Sequence, residues 1–334
     1  MPHFNIPVFI PELACPFRCI YCNQYRISGN CRVPSPAEIH QVIQRHLETL
    51  PRQGAFVELA FFGGSFTGLP THQQRAYLSL ALPYLEQEKL QGIRLSTRPD
   101  YINAEVIRLL KEYRVTAVEL GAQSLDDEVL KASGRGHTAS VALDAAQMLL
   151  DAGFETGLQM MTGLPADTEE KSIETALKII ASGAQTTRIY PTLVIRDTPL
   201  AILFEQGKFA PQSEEQAIDL CARLYDMFQQ AGVKVLRMGL HPSEGLFDGT
   251  ALLAGPFHPA LGEKILSRVW RQKIASLLVG KSGSHIKIGV HPKRLNVAIG
   301  HKAINKLWLL QQFSTAKFTT DPKLQPHEIT IDLD

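Results

Sequence analysis

The sequence predicts an α/β fold in which a partial barrel of six β–α units precedes a small α+β module. Short β-branched apolar runs alternate with amphipathic helical stretches along most of the chain. Repeated β–α units imply parallel strands with right-handed crossovers, and six units make an incomplete barrel. With 45% apolar and 20% charged residues among its 334 residues, the chain has the composition of a folded globular protein.

The predicted elements follow in order along the chain. Strands are predicted at Ile6–Ile10, Val57–Phe62, Ile93–Thr97, Ala117–Gly121, Thr156–Met161, Arg188–Val194 and Val233–Arg237. Helices are predicted between them at about 36–49, 72–89, 103–113, 139–152, 168–182 and 214–230. We expect residues 1–245 to form the barrel domain, 246–283 a connecting segment and 284–334 the small module.

Charge is divided unevenly between the two ends of the chain. Residues 1–262 carry 22 Lys+Arg and 28 Asp+Glu, whereas residues 263–334 carry 12 and 5. A basic carboxyl-terminal region favours a polyanionic partner, although a solvated basic surface would have the same composition. The amino terminus lacks a signal-peptide pattern, and no apolar run approaches the ~20 residues that span a bilayer, so we expect no membrane partner.

Cys15, Cys19 and Cys22 form a C-x₃-C-x₂-C motif, the most informative stretch of the sequence. In a [4Fe–4S] cluster, three thiolates hold three corners and leave the fourth iron open to a small molecule. Together with Cys31, the motif could instead form a tetrahedral zinc site, although zinc ribbons prefer two C-x₂-C pairs. Ordinary buried cysteines are a third interpretation. An oxygen-sensitive cluster fits a reducing cytoplasm, which is the expected location.

Small and polar residues follow the predicted strands at the edge where ligands of parallel α/β folds gather. Gly63-Gly64-Ser65 follows the second strand, and adjacent glycines let the backbone approach a ligand closely. Gln123 follows the fourth strand, with Arg135 in the region beyond it. A guanidinium can bind a carboxylate through two hydrogen bonds, and a glutamine amide suits ribose hydroxyls. Each of these residues alone could also be a simple loop cap.

The motif C-P-F-R-C-I-Y-C resembles the cluster loop of radical S-adenosylmethionine (SAM) enzymes. Further motifs resemble, in order, the radical SAM domain of the Elongator catalytic subunit: S-T-R-P-D, G-A-Q-S with G-R-G-H-T, D-A-G-F with M-M-T-G-L-P, and I-Y-P-T-L-V-I-R-D-T. The resemblance spans about residues 6–245, and the chain is more distantly similar to oxygen-independent coproporphyrinogen III oxidase. It implies a (βα)₆ radical SAM barrel with a [4Fe–4S] cluster, SAM, and an electron donor such as flavodoxin or ferredoxin.

The resemblance also implies roles for individual residues. The cluster ligands, and with them the catalytic residues, would be Cys15, Cys19 and Cys22. The SAM-binding residues would be Tyr21, Gly63, Gly64, Ser65, Gln123, Arg135 and Gln159. In the relatives, the residues matching Gln123 and Arg135 contact the SAM ribose and carboxylate. Gln159 matches another ribose-contacting position, and Tyr21 matches a position whose backbone lies near the adenine. Ser65 matches a position that is often acidic, so we expect Ser65 to contact SAM through its backbone.

The Elongator catalytic subunit carries an acetyltransferase domain after its radical domain. Residues 246–334 are too few for such a domain and lack its Gln/Arg-x-x-Gly-x-Gly/Ala loop. We therefore do not predict acetyl-CoA-dependent chemistry for this chain acting alone.

Residues 284–334 read as a strand, a helix, a turn, a second helix and two further strands. The stretch A-I-G-H-K-A-I-N-K-L resembles the helix–turn–helix of a KH domain, whose G-x-x-G loop clamps a nucleic-acid backbone. Ala303 stands where the second glycine is expected. The expected RNA contacts are Lys293, Arg294, Lys302 and Lys306. A KH-like module that only packs against the barrel is the alternative.

Three functions are consistent with these motifs. The leading hypothesis is a radical SAM enzyme that modifies RNA, with tRNA as the expected partner. The second is a radical SAM enzyme acting on a small metabolite such as a porphyrin-like compound. The third is a catalytically silent iron–sulfur binding protein, which the intact cysteine, glutamine and arginine positions disfavour. The basic region favours the first, because a metabolite enzyme has no evident need for it.

Overall fold

The computed structural model describes residues 2–11, 19–28, 32–51 and 54–334. The chain divides into two compact units, one of residues 1–213 with 228–257 and one of residues 214–227 with 258–334. None of the helices within these described ranges is both long and apolar enough to cross a membrane. The domain boundaries expected at residues 245 and 284 stay a prediction.

The first unit is built on a parallel sheet. Its strands are β1 (His3–Ile10), β2 (Phe56–Gly63), β3 (Gly92–Thr97), β4 (Val115–Gln123), β5 (Glu155–Thr162), β6 (Thr186–Pro191), β7 (Val194–Ile195), β8 (Lys234–Met238) and β9 (Leu252–Ala254). The large sheet has the order β1-β2-β3-β4-β5-β6-β8, and β7 pairs antiparallel with β9. Neighbours in the large sheet follow the chain order, as consecutive β–α units require. The predicted α/β fold is confirmed.

Helices connect these strands. Up to residue 257 they are α1 (Gln24–Ser28), α2 (Pro36–Thr49), α3 (Thr71–Ser79), α4 (Leu82–Glu86), α5 (Ala104–Glu112), α6 (Asp127–Ala132), α7 (Ala139–Asp151), α8 (Glu169–Ala181), α9 (Pro199–Glu205), α10 (Glu214–Gln230) and α11 (Glu244–Phe247). Side-chain caps fix several helix starts: a capping box at Ser35 begins α2, and the hydroxyls of Thr138 and Thr168 cap α7 and α8. These caps satisfy N–H groups that have no partner within the helix.

The large sheet is curled, so that side chains from distant strands meet on its concave face. The guanidinium of Arg188 on β6 lies 5.1 Å from the ring centroid of Phe62 on β2. Four strand spacings in a flat sheet would separate these strands by about 19 Å. The alternate residues, such as Leu95, Val118 and Leu158, are buried on the convex face. The partial barrel is thus confirmed. Side chains are buried on its concave face as well as on its convex face.

Some elements differ from the sequence prediction. The helix expected at 72–89 is divided into α3 and α4, because Pro83 lies in the first turn of α4 and cannot donate a backbone hydrogen bond. The strand expected at Arg188–Val194 ends at Pro191, and β7 belongs to another sheet. Among the helices up to residue 257, α1, α6, α9 and α11 were not predicted.

The second unit is an α+β module. Its elements from residue 258 onward are α12 (Leu261–Leu278), β10 (His285–Val290), α13 (Leu295–Ile299), α14 (Ile304–Leu310), β11 (Thr315–Thr320) and β12 (Ile329–Leu333). In its sheet, β10 lies between β11, to which it is parallel, and β12, to which it is antiparallel. Ile286, Ile288 and Val290 pack with Trp270 of α12 and Leu309 of α14 in one apolar cluster. The predicted order of strand, helix, turn, helix and two strands is confirmed.

Candidate active site

Cys19 and Cys22 lie on a turn that is closed by its own hydrogen bond and tied to the end of α6. The backbone N–H of Cys22 donates to the Cys19 carbonyl at 3.0 Å, and that of Ile20 donates to the Ser133 carbonyl at 3.1 Å. Cys15 and Cys31 lie outside the described residues, so the structure tests neither the complete motif nor the zinc alternative. Within the described ranges, no three His, Cys, Asp or Glu side chains are grouped to hold a metal ion. The assignment of Cys15 as the third cluster ligand stays a prediction.

Two guanidinium groups face the sulfur of Cys19. Arg135 Nη1 lies 3.5 Å from Cys19 Sγ, and Arg98 Nη1 lies 4.0 Å from it. Arg98 is held by two hydrogen bonds of 2.9 Å to the Asp100 carboxylate, and its Nη2 donates to the Arg135 carbonyl at 2.7 Å. Positive charge is therefore fixed beside the sulfur, where a thiolate or an anionic cluster would be stabilised.

The Gly63-Gly64 turn brings the backbone of β2 against the end of β1. Gly63 has a φ of +113°, and a Cβ there would lie 2.3 Å from the Ile10 carbonyl oxygen, so only glycine fits. Gly64 N–H donates to that same carbonyl at 2.8 Å. The Ser65 hydroxyl contacts Thr97 Oγ1 at 2.9 Å and accepts from the Arg98 N–H at 3.1 Å. Because the Ser65 side chain has partners within the protein, its backbone is the part left to meet a ligand.

Gln123 ends β4 in a strained conformation. Its φ is +68°, and the pairing of β4 with β5 shifts register between Gly121 and Gln123. The side-chain Oε1 of Gln123 is buried without a hydrogen-bond partner. A Cβ at Gly121 would lie 2.9 Å from Gln123 Nε2 and 3.0 Å from Arg135 Nη2, so the glycine makes room for both side chains. Strain and an unpaired buried oxygen together indicate a ligand-binding position.

Two titratable side chains near Arg135, Tyr21 and His137, are held neutral. Tyr21, between the two cysteines, is 8% exposed. Burial raises the pKa of the Tyr21 phenol well above its usual value, and the Arg135 charge opposes this shift only in part. Burial and the Arg135 charge lower the pKa of His137 to about 4. Both side chains are therefore uncharged near pH 7, and the positive charge beside Cys19 comes from arginine.

The amide of Gln159 is oriented by a buried carboxylate on the concave face. Gln159 Nε2 donates to Glu119 Oε2 at 2.9 Å, and Arg188 donates to both Glu119 oxygens. Burial alone would raise the pKa of Glu119, but the hydrogen bonds from Arg188 and Gln159 and the charge of Arg94 hold this pKa below its usual value. An ionised carboxylate only accepts hydrogen bonds, so the amide nitrogen must face Glu119. The amide oxygen is then left for a hydroxyl donor.

A single cavity brings these residues together. It is lined by every predicted cluster or SAM residue within the described ranges: Cys19, Tyr21, Cys22, Gly63, Gly64, Ser65, Gln123, Arg135 and Gln159. Amide, guanidinium and close backbone groups suit ribose hydroxyls, a carboxylate and an amino group, so the residues fit SAM. Two cysteines in one cavity, with fixed cations beside the Cys19 sulfur, fit an anionic cluster.

Further residues line the same cavity without having been predicted: Gln24, Ser96, Thr97, Arg98 and Gly121. Arg98 follows β3 directly, and Asp100 lies two residues further on. This pair at the carboxyl end of a parallel strand could have identified Arg98 as a ligand-binding candidate. Gln24 Nε2 donates to the Gly63 carbonyl at 2.6 Å, which no local pattern could reveal.

The predicted RNA-binding residues lie elsewhere, on the helix–turn–helix after β10. They are Lys293, Arg294, Lys302 and Lys306. Three of them are exposed and Arg294 is half-buried, and none forms a salt bridge with another described residue. The turn His301–Ala303 holds Lys302 and Ala303 at φ values of +50° and +59°. Ala303 thus occupies a left-handed position that favours glycine, as a G-x-x-G loop would have it.

The curled parallel sheet, with a cavity of cysteine, glycine, glutamine and arginine residues at its carboxyl edge, defines a cofactor-dependent α/β enzyme. The family model of the Radical SAM superfamily matches residues 10–179, and that of the radical SAM C-terminal domain matches residues 184–271. The first match alone covers half of the chain. The chain belongs to the radical SAM superfamily, and it is an enzyme whose cofactors are a [4Fe–4S] cluster and SAM.

Individual proteins of known name are similar to part of the chain. Elongator complex protein 3 of Mus musculus is 31% identical over 188 residues, which are 50% of this chain and 34% of that protein. The tRNA uridine(34) acetyltransferase of Methanocaldococcus infernus is 28% identical over 184 residues, which are 49% of this chain and 34% of that protein. The matched region thus spans about a third of the length of these relatives.

A solved structure supports the fold. The archaeal Methanocaldococcus infernus Elp3 with an N-terminal deletion superposes with a TM-score of 0.62 at 21% identity, covering 81% of this chain and 63% of that one. At this identity the likeness concerns the fold alone.

Proposed function

We propose that this radical SAM enzyme modifies RNA, with tRNA as its substrate. The observation that carries the radical SAM chemistry of the proposal is the convergence of nine predicted residues on one cavity; they come from β5 and from the ends of β2 and β4 and the segments after β1, β2 and β4. The relative named as a tRNA uridine(34) acetyltransferase, matched over half of this chain, supports tRNA as the substrate class. The basic second unit supports it independently, because tRNA is a polyanion.

The chain's own residues have distinct tasks in this proposal. Cys15, Cys19 and Cys22 hold the cluster. Arg135 binds the SAM carboxylate and the Gly63-Gly64 backbone receives its amino group, while the amides of Gln123 and Gln159 take the ribose hydroxyls. When bound, the cluster supplies the electron that cleaves SAM reductively and starts radical chemistry. Arg98 keeps Arg135 in place through its carbonyl and adds positive charge beside Cys19.

Two further components are part of the proposal. An external donor such as flavodoxin or ferredoxin delivers the electron that the reductive cleavage of SAM consumes. A reducing cytoplasm is the compartment that keeps an oxygen-sensitive thiolate-bound cluster intact.

The second unit supplies the RNA-binding surface. Lys293, Arg294, Lys302 and Lys306 lie along one helix–turn–helix and have no acidic partner among the described residues, so their charges remain available to phosphates. The turn is fixed from behind, since His301 N–H donates to Ser267 Oγ of α12 at 2.8 Å. A fixed turn with free lysines is suited to a phosphate backbone.

The proposal is tested by comparing tRNA nucleosides with and without the gene by mass spectrometry, and by supplying anaerobically reconstituted enzyme, SAM and reductant to tRNA from the deletion strain. We expect one modified nucleoside to disappear with the gene. Cys19→Ala should lower bound iron from about four per chain and abolish SAM cleavage. Cys31→Ala should keep both.

Two results would overturn the proposal in different ways. Tight zinc binding without iron–sulfur absorbance would remove the radical chemistry. An unchanged nucleoside profile, with SAM cleavage intact and no tRNA binding at low salt, would instead favour the small-metabolite hypothesis.

A further inference from the structure

Two arginines lie side by side on the concave face of the sheet. Arg188 on β6 and Arg237 on β8 are Cα partners in the parallel pairing, and Gln159 on β5 is the Cα partner of Arg188 on its other side. Gln159 lines the cavity described above. At about 4.8 Å per strand, Arg237 lies about 10 Å from Gln159 across the sheet.

The two guanidinium groups differ in how their charges are compensated. Arg188 is paired with Glu119, a carboxylate that is 1% exposed and that also receives Arg94 at 3.4 Å. Arg237 has no carboxylate partner in the described part of the chain, and its Nε donates to the Gly239 carbonyl at 3.0 Å. The outer nitrogens of Arg237, which are the pair that binds planar oxyanions, are therefore left without an acid.

The uncompensated charge of Arg237 is partly buried and lies next to a second cation. Burial, assisted by the charge of Arg188, lowers the pKa of Arg237, so the protein holds this guanidinium at a cost. An arginine nevertheless stays protonated. Tyr190 on β6 interacts with both guanidinium groups, and burial raises the pKa of its phenol. Its hydroxyl therefore keeps a proton that it can donate to an anion.

The geometry points to an oxyanion subsite at Arg237 and Tyr190, which binds a carboxylate or phosphate group of the substrate. The inference rests on the proposed function in that it deepens the description of the same barrel's substrate. Arg188 serves as a fixed wall between this subsite and the SAM cavity, because Glu119 and the Phe62 ring hold its guanidinium on both sides. A substrate whose anionic group is anchored about 10 Å from Gln159 would present one of its own carbon atoms to the SAM cavity.

The test measures anion binding directly in the full chain, reconstituted anaerobically. Inorganic phosphate and [1-¹³C]acetate are titrated separately, and their ³¹P and ¹³C line broadening gives the dissociation constants. We expect saturable binding of at least one probe, weakened about tenfold or more in Arg237→Gln and about threefold in Tyr190→Phe. Arg237→Lys should fall between, because an ammonium keeps the charge but loses the planar pair of donors.

Arg45→Gln is the matched control, since it removes the same charge from an exposed position on α2 of the same unit. It should bind both probes as the parent does. Tighter phosphate binding would indicate a nucleotide phosphate, and tighter acetate binding a substrate carboxylate, and either result supports the subsite. Circular dichroism and SAM affinity check that each variant is folded; should Arg237→Gln not fold, Tyr190→Phe and Arg237→Lys carry the test.

The subsite is overturned if neither probe binds saturably, or if Arg237→Gln and Tyr190→Phe bind as Arg45→Gln does. That outcome is separable from failure of the proposed function. If the subsite hypothesis fails, SAM still binds and the modified nucleoside still disappears with the gene, whereas failure of the proposed function would appear in those two measurements.

Discussion

The cavity of the first unit and the His301–Ala303 turn of the second unit present their candidate functional residues in opposite ways. Arg98 and Arg135 are 2% and 5% exposed, and each is fixed by hydrogen bonds to carbonyl or carboxylate oxygens. Lys302 and Lys306 are exposed and form no salt bridge with a described residue. The first arrangement selects a ligand by shape, whereas the second attracts charge. Substitutions should therefore act specifically in the cavity and through salt-dependent affinity at the turn.

Arg135→Ala should produce the largest change in ligand affinity. It removes the proposed carboxylate partner and should weaken SAM binding by about 1.5–3 kcal/mol, the range of hydrogen bonds to charged groups. Arg135→Lys should recover only part of this, because a point charge lacks the planar fork. Isothermal titration of SAM into the reconstituted protein measures the effect.

The matched control is Arg75→Ala, which breaks an exposed pair with Glu112 in the same unit. Its SAM affinity should equal that of the parent. Equal affinities for Arg135→Ala and the parent would show that Arg135 serves only to position the Cys19 turn.

His137 tests whether burial in this region is as complete as its contacts imply. The folded pKa of His137 is about 4 and lies below the usual 6.5, so the unfolded chain takes up a proton between these values that the folded protein does not. Stability from this group is present above pH 6.5 and is lost as the pH falls toward 4. On acidification, the free energy of unfolding should therefore fall less in His137→Gln than in the parent, by up to about 3 kcal/mol.

Urea unfolding followed by circular dichroism at pH 7 and pH 5 measures the part of that difference that falls between these two pH values, about 2 kcal/mol. His72→Gln, at an exposed position at the start of α3, is the control and should follow the parent at both pH values. A pH dependence that is identical in His137→Gln and the parent would mean that the imidazole reaches solvent.

The same contrast shows what the sequence could reveal. The β–α order, the Gly63-Gly64 turn and the strand-end Gln123 and Arg135 were predictable, because local pattern and motif specify them. The buried charges of the concave face were not predicted. Alternation of polar and apolar residues, as in Gly92–Thr97, is also typical of a strand with one solvated face. Only the curl of the sheet turns that polar face into an interior.

In the carboxyl-terminal region, the short elements were predictable but the longest helix was not. Their order was predictable from short apolar runs and Gly300, yet α12 lies in the segment expected to be a connection. Its amphipathic pattern was overlooked because no polar cap marks its start: Ala260 precedes it without a side-chain hydrogen bond. The partners of α12, including Asn305 bonded to the Ser267 carbonyl at 2.9 Å, come from far along the sequence.

Lys302 and Lys306 test the second side of the comparison. If they contact phosphates, changing both to Ala should flatten the dependence of log affinity for tRNA on log salt by up to about two units. Fluorescence titration at several salt concentrations measures the slope, and SAM cleavage should be unaffected. The control variant Lys89→Ala with Lys111→Ala removes the same charge from exposed positions of the first unit and should leave the slope unchanged. Equal slopes for both double variants would mean that tRNA binds through overall charge.

Ala303→Gly should have the smallest effect and the most informative sign. Ala303 has a φ of +59°, and a left-handed conformation costs a residue with a Cβ about 1–2 kcal/mol. Glycine removes this cost but loses more freedom on folding, which leaves a net stabilisation of about 0.5–1 kcal/mol. Tryptophan fluorescence reports this unit selectively, since the two tryptophans of the chain, Trp270 and Trp308, both lie in it.

Two controls fix the sign of the Ala303→Gly effect. Ala298→Gly makes the same substitution within α13 and should destabilise by about 1 kcal/mol. Gly300→Ala should also destabilise, because its φ is +89° and its Cβ would lie 2.8 Å from Ile304 Cγ2. If Ala303→Gly raised both stability and tRNA affinity, the turn would act as a G-x-x-G loop that lacks one glycine. A gain in stability with unchanged tRNA affinity would mean that the strain at Ala303 is a property of the turn alone, and that the lysines act without a backbone grip.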